Sequence, residues 1–272
     1  MNSIWLDISV RTLLGSTLVM AQALLLNWLR VPFAAITLFA GIAAYATVAQ
    51  VTPVILILVA TAAVFLVLVR PLPQDRYLLL SLASLALARS IAGSLSGYGG
   101  ELGMASASTW IEAQRPLSAL PYAIALFLIA FLVLLVLRYT EMGLAVDVAR
   151  AGGTEMPAAS MAPGGVLTAI LMAAATVLAG LTGAVQGAYT GWIDPNLFRI
   201  DYAITLLVAT LAIRRKPVRG TLLAMSFFLF PDLFSEFCGY DHTASAHVRE
   251  IIWGAAIIFL SGKTFSPVRE EA

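Results

Sequence analysis

Residues 118–137 read SALPYAIALFLIAFLVLLVL, an unbroken apolar run closed by Arg138. A helix needs about 20 such residues to cross the ~30 Å hydrocarbon layer of a bilayer. Water is absent there, so backbone groups must pair within the segment, and a helix rather than an open strand is expected. Runs of this kind recur on both sides, at 10–29, 31–51, 53–69, 77–97, 165–188, 201–213, 220–238 and 250–262. The sequence therefore predicts an all-α polytopic membrane protein of about eight to ten transmembrane helices, folded as one domain over residues 1–272. Runs 201–213 and 250–262 are short and call for extended ends, tilt or partial insertion, and 31–51 contains break points at Pro32 and Gly41.

Composition agrees. Of 272 residues, 60% are apolar and 11% charged, and the mean hydropathy is +0.92, whereas soluble domains carry roughly 25% charged residues. No polar block of domain size interrupts the chain, so neither an ATPase nor an external receptor domain is expected on it. Sixteen basic residues balance fifteen acidic ones without a basic tail, which argues against a nucleic-acid partner. The single cysteine, Cys238, excludes an internal disulfide and a thiolate cluster, and with only His242 and His247 a metal site is not expected. Residues Met1 to Ser9 hold Asp7 and no Lys or Arg, so the basic n-region of a cleavable signal is missing.

Charge orients the spans. Taken in order, nine spans place eleven of the sixteen basic residues on one side: Arg30, Arg70, Arg76, Arg138, Arg150, Arg214, Arg215, Lys216, Arg219, Lys263 and Arg269. By the positive-inside rule that side is cytoplasmic. The amino terminus and loops 98–117, 189–200 and 239–249 then lie outside. Trp5, Trp28, Trp110 and Trp192 fall near expected span ends, where indole rings favour the interface.

Several residues stand out against this background. Asp232 and Glu236 are four apart and share a helix face. Counted at 1.5 Å per residue, Asp232 and Arg89 each lie about 18 Å along their spans. Unpaired charge at that depth is costly. The expected arrangement is an Arg89–Asp232 or Arg89–Glu236 pair joining two helices, with a part in substrate passage or snorkelling as alternatives. Thr37, Tyr45 and Gln50 are polar groups on apolar runs, and such groups usually bond a nearby carbonyl. Ala34–Ala46 and Ala173–Gly187 are rich in Ala and Gly, which predicts close helix packing before any pathway role. Asp194-Pro195-Asn196 predicts an outer turn. No catalytic constellation is legible, and without a Walker-type loop any ATP, with its Mg, has to be handled by another subunit.

The stretch from Arg138 to Gly164 is too long for a simple helix connection, most of which take about 2–8 residues. It opens Arg138-Tyr-Thr-Glu-Met-Gly-Leu-Ala145, breaks at Gly152-Gly153, and continues from Thr154 into a piece suited to a short capped helix. It resembles the cytoplasmic coupling loop of the branched-chain amino acid ABC permeases, the Liv-type membrane subunits. Leu178-Ala-Gly-Leu-Thr-Gly-Ala-Val-Gln-Gly-Ala-Tyr189 resembles the family's Ala/Gly-rich helix that follows. Gly191-Trp-Ile-Asp-Pro-Asn-Leu-Phe198, Val218-Arg-Gly-Thr-Leu-Leu-Ala224 with Phe230-Pro-Asp-Leu-Phe234, and Val248 to Phe259 are similar to its later segments. A looser likeness covers Val31 to Tyr45 and Val69-Arg-Pro-Leu72. The chain departs from the family at Ala35-Ile36 and at Ile213-Arg-Arg-Lys-Pro217.

The resemblance implies a type II-like permease subunit of a bacterial ATP-driven importer in the cytoplasmic membrane. It would work beside a second, commonly different permease subunit, two cytoplasmic ATPase subunits and an external solute-binding protein. The solute would be a branched-chain or hydrophobic amino acid or a related compound. Glu141, Gly143, Glu155, Met156 and Met161 would then belong to the ATPase-coupling element, and Thr37, Arg89, Asp232 and Glu236 to the pathway or to intramembrane pairing. An ion- or proton-coupled carrier, or a non-transporting membrane assembly protein, are the alternatives from other classes.

Overall fold

The computed structural model describes residues 2–28, 36–50, 74–94, 103–105, 111, 115–141, 164–193, 195–198, 200–213, 217–238, 251 and 254–255. Seven helices account for nearly all of these: α1 (Asn2–Ala23), α2 (Ile36–Val48), α3 (Gln74–Ser94), α4 (Pro116–Tyr139), α5 (Gly164–Thr190), α6 (Ile200–Ile213) and α7 (Pro217–Cys238). Helix α1 runs on into a π-helical turn, Leu24–Trp28. The described chain is thus all-helical apart from one small ladder of two strands, β1 (Met104–Ala105) and β2 (Trp192–Ile193).

Three segments are long and apolar enough to cross a membrane: Ile4–Trp28, Pro116–Tyr139 and Ile170–Thr190. The first helix begins well before residue 10, since Asp7 and Arg11 pair along its surface and the turn continues through them. Helix α2 passes Gly41 without a break; Pro32 lies outside the described residues, as does the run 53–69. Of the run 250–262, only Ile251, Gly254 and Ala255 are described, all helical. Pro116 at the first helical position suits the start of α4, where its missing N–H costs nothing.

Burial separates inner from outer helices. The most hydrophobic window of α1 with its π turn is 83% buried, against 28% for α4. Helix α1 packs on α4, α5, α6 and α7 and forms the axis of the bundle. Helix α4 instead exposes Leu117, Ile124, Leu128, Leu132 and Val136, a face that only an apolar surrounding can cover. The main core gathers Leu18, Met20, Leu24, Trp28, Phe39, Leu85, Leu134, Leu178 and Leu206. Trp28 is therefore 3% exposed in the core, not at an interface as its position near a span end predicts, while Trp5 and Trp192 are exposed.

The closest helix pair is α2 with α5, and it follows from the small residues on both. A Cβ on Gly183 would run into the backbone of Ala40, and one on Gly187 would come within 2.8 Å of the Ala44 carbonyl oxygen. The two Ala/Gly stripes are thus packing surfaces.

Contacts between helix ends give the bundle two distinct ends. Trp5 meets Phe237 edge-on, with ring centroids 6.4 Å apart. Val48 packs with Ile193, and Met104 pairs with Ile193 in the ladder. The starts of α1 and α4 and the ends of α2, α5 and α7 therefore share the ladder end. At the far end, Asn27 donates to the Thr210 carbonyl at 3.3 Å, and Gly220 abuts Ile213. Loops 98–117 and 189–200 thus meet on one side, as the charge pattern predicts.

Candidate functional site

The first turns of α1 carry Asp7 and Arg11 four residues apart, which places them on one face. Arg11 donates from Nε to Asp7 Oδ1 at 3.1 Å, and its Nη2 lies 3.0 Å from Oδ2. Tyr189, near the end of α5, donates its hydroxyl to Asp7 Oδ1. One carboxylate thereby ties the start of the central helix to the end of its neighbour.

The end of α5 is closed locally. The Thr190 hydroxyl donates to the Gln186 carbonyl at 2.9 Å. Gly191, at φ 64°, returns its N–H to the Gly187 carbonyl at 3.0 Å. Only glycine takes that left-handed backbone without steric cost, which makes it the stop signal of the helix. The reversal directs β2 onto β1.

Between these ends lies a cleft of about 600 Å³ lined by Ile4, Asp7, Arg11, Pro116, Tyr189, Thr190 and Trp192. Both Asp7 oxygens are engaged, whereas the Arg11 side chain is 61% exposed. Its remaining N–H groups offer directed donors to an anionic or carbonyl group entering the cleft. Among the described residues no three His, Cys, Asp or Glu side chains converge on a metal-sized space.

The sequence analysis did not single out Asp7, Arg11 or Tyr189 as a site. An acid four residues before a base is the one signal that bore on them, and it does not reveal a tyrosine 182 residues away. Of the residues it did select, Thr37 is fully buried in the first turn of α2, and its hydroxyl has no hydrogen-bond partner among the described residues. Tyr45 stacks on Phe198 at 5.8 Å. Gln50 ends α2 with φ 55°.

The expected intramembrane ion pair does not form. Arg89 is exposed on α3, and among the described residues it makes no ion pair with Asp232 or Glu236. The reason is packing. Helix α3 rests on the 3-10 turn Pro195–Phe198, α2 and α6, whereas α7 rests on α1, α4 and α6. Equal depth along two spans does not bring their side chains together. Arg89 stands five residues from the end of α3, about 7–8 Å, and its stem can carry the guanidinium toward the helix end. Glu236 is exposed and Asp232 half-buried on α7.

Of the coupling residues, Glu141 is exposed just beyond the end of α4. Gly143, Glu155, Met156 and Met161 lie outside the described residues. Compared with protein-family models, curated proteins and solved structures, the chain matches none.

Proposed function

We propose that this chain is a membrane-spanning permease subunit of an ATP-driven importer, without an ATPase site of its own. It works in a bacterial cytoplasmic membrane with a second permease subunit, two cytoplasmic ATPase subunits that bind ATP and Mg, and an external solute-binding protein. The solute is a small hydrophobic amino acid or a related compound, and about nine helices cross the bilayer. Transport proceeds by alternating exposure of an interior site, driven by ATPase closure acting through the connection between α4 and α5.

One observation carries the reading. Helix α4 starts and helix α5 ends at the cleft, so Tyr139 and Gly164, the helix ends that bound residues 140–163, both lie toward the far end of the bundle. A helix of 24 residues spans about 36 Å, enough to separate those ends by a full bilayer core. Arg138 closes the last turn of α4, and Arg219 is exposed in the first turn of α7 beside the same end. The helix ends that bound the stretch resembling a coupling loop thus lie beside Arg138 and Arg219, which supports reading that stretch as the docking element of a cytoplasmic ATPase.

Affinity purification of the tagged chain from its native membrane is the test. Co-elution of an ATPase subunit is expected, and deletion of residues 152–162 should abolish it. Absence of any nucleotide-binding subunit, or co-elution that survives the deletion, overturns the assignment.

A further inference from the structure

Buried Ser and Thr hydroxyls in this bundle follow a rule, to which the exceptions among the described residues are Thr37, Thr221 and one neighbouring pair, Thr12 and Ser16. Thr17, Thr47, Thr176, Thr182 and Thr210 each donate to the carbonyl four residues earlier, at 2.7–2.8 Å. That bond is how a threonine on an apolar helix ordinarily satisfies itself. Thr12 is 3% and Ser16 0% exposed, yet neither hydroxyl has a hydrogen-bond partner among the described residues. They lie one turn apart on α1, on one stripe with Val19 at i, i+4, i+7.

Further along, α1 meets α6 through polar contacts. The Thr210 hydroxyl, besides its bond within α6, lies 3.4 Å from the Val19 carbonyl. About two turns further Asn27 reaches the Thr210 carbonyl from the π-helical turn, and π turns inside helices frequently mark functional positions. The opposite side of α1 is apolar: Val10 and Leu14 pack among Ala119, Ala123, Leu126 and Val185. Thr12 and Ser16 thus lie on the side of the central helix away from Val10 and Leu14, and their buried hydroxyls, unlike that of Thr17, make no bond to the carbonyl four residues earlier. Leaving such groups without a partner is costly, whereas apolar side chains of the same shape would be neutral or better.

We propose that the Thr12–Ser16 face of α1 is a binding site for a small uncharged hydrogen-bonding group. Water meets that chemistry, as does the polar portion of a solute passing through the bundle. A bound water typically serves groups of this kind through about three hydrogen bonds. The site is distinct from the Asp7–Arg11 cleft, whose residues lie on another face of α1. Only the solute form of the proposal rests on the transport reading; the water form stands without it.

Two measurements test it. In the purified chain, Thr12→Val and Ser16→Ala should each lower the thermal midpoint by about 2–4 °C, and Thr12→Ser should retain it. A midpoint unchanged or raised in both apolar variants overturns the proposal. Should Thr12→Val fail to accumulate, Ser16→Ala carries the same prediction alone. In proteoliposomes of the Cys238→Ala chain, Ser16→Cys should react with a small water-soluble methanethiosulfonate reagent at least tenfold faster than Leu14→Cys, at the same depth on the apolar side. Equal rates overturn the proposal. Slowing of the Ser16→Cys reaction by added leucine assigns the site to solute, and an unchanged rate assigns it to water.

Discussion

Asp7 engages two partners at once, and they differ in worth. Its pair with Arg11 is an exposed i, i+4 contact, a class that contributes about 0.3–0.5 kcal/mol. The Tyr189 hydroxyl joins two helices and gives its proton to a charged acceptor. Discounted for the partial exposure of Asp7, that bond contributes about 1 kcal/mol. Tyr189→Phe should therefore lower the thermal midpoint in detergent more than Arg11→Gln does; the reverse order would show that the link between α1 and α5 is idle. Gly183 acts by having no side chain. Its Cβ would meet a backbone carbonyl, which cannot rotate aside. Gly183→Ala should cost about 1–3 kcal/mol, read as a lower melting point or reduced yield, and Gly187→Ala less, since its closest backbone contact is longer. Among the described residues Arg89 makes no ion pair with Asp232 or Glu236. A double-mutant cycle of Arg89→Gln with Asp232→Asn, scored by thermal stability, should give a coupling within about 0.5 kcal/mol of zero. A larger coupling would restore the pair.

At the scale of elements, each helix's role follows from which of its faces is apolar and what covers it. Helix α4 is the most hydrophobic span, with mean hydropathy 2.9 over its window, and among the least covered. Helix α1 is less hydrophobic, at 1.4, and nearly enclosed. Hydrophobicity thus reports the solvent a helix meets rather than its depth in the protein, because a bilayer rewards apolar surface on the outside. The connection after α4 is the element on which the proposed function depends. Met156 is expected as an apolar anchor, with Glu155 on the rim of the contact, and buried anchors carry more binding energy than rim charges. Met156→Asp should abolish capture of the cognate ATPase in a pull-down while Glu155→Ala weakens it mildly. Undiminished capture by Met156→Asp would remove that anchor.

For the whole molecule, the ends of the helices give a direct check on topology. The ladder brings loops 98–117 and 189–200 together, and Trp5 with Phe237 places the start of α1 and the end of α7 beside them. In the Cys238→Ala chain, cysteines at Ser108 and Ser160 should be labelled by an impermeant reagent from opposite sides of a sealed vesicle. Labelling of both from one side would end the nine-span order and the coupling assignment together.

That the chain folds into helices, some of them long and apolar enough to cross a membrane, was legible from length and hydropathy alone. Runs such as 118–137 have no stable place except a bilayer or a large core, and an 11% charged chain offers too little polar surface to shield them all. The alternation of basic and basic-poor loops likewise anticipated which helix ends share a side, because each span reverses the chain. Small-residue stripes pointed to α2 and α5 as packing surfaces, since absence of side chain is written directly in Ala and Gly. Which helices touch was not legible. Arg89 and Asp232 stand at matching depths yet on helices that pack elsewhere, and Asp7 meets Tyr189 across 182 residues. The enclosure of Trp28 and the burial of the Thr12 and Ser16 hydroxyls without a partner among the described residues were equally hidden. Each depends on how a helix is rotated about its axis, and in a span apolar on nearly every face the hydropathy pattern sets depth but leaves rotation to the packing of neighbours.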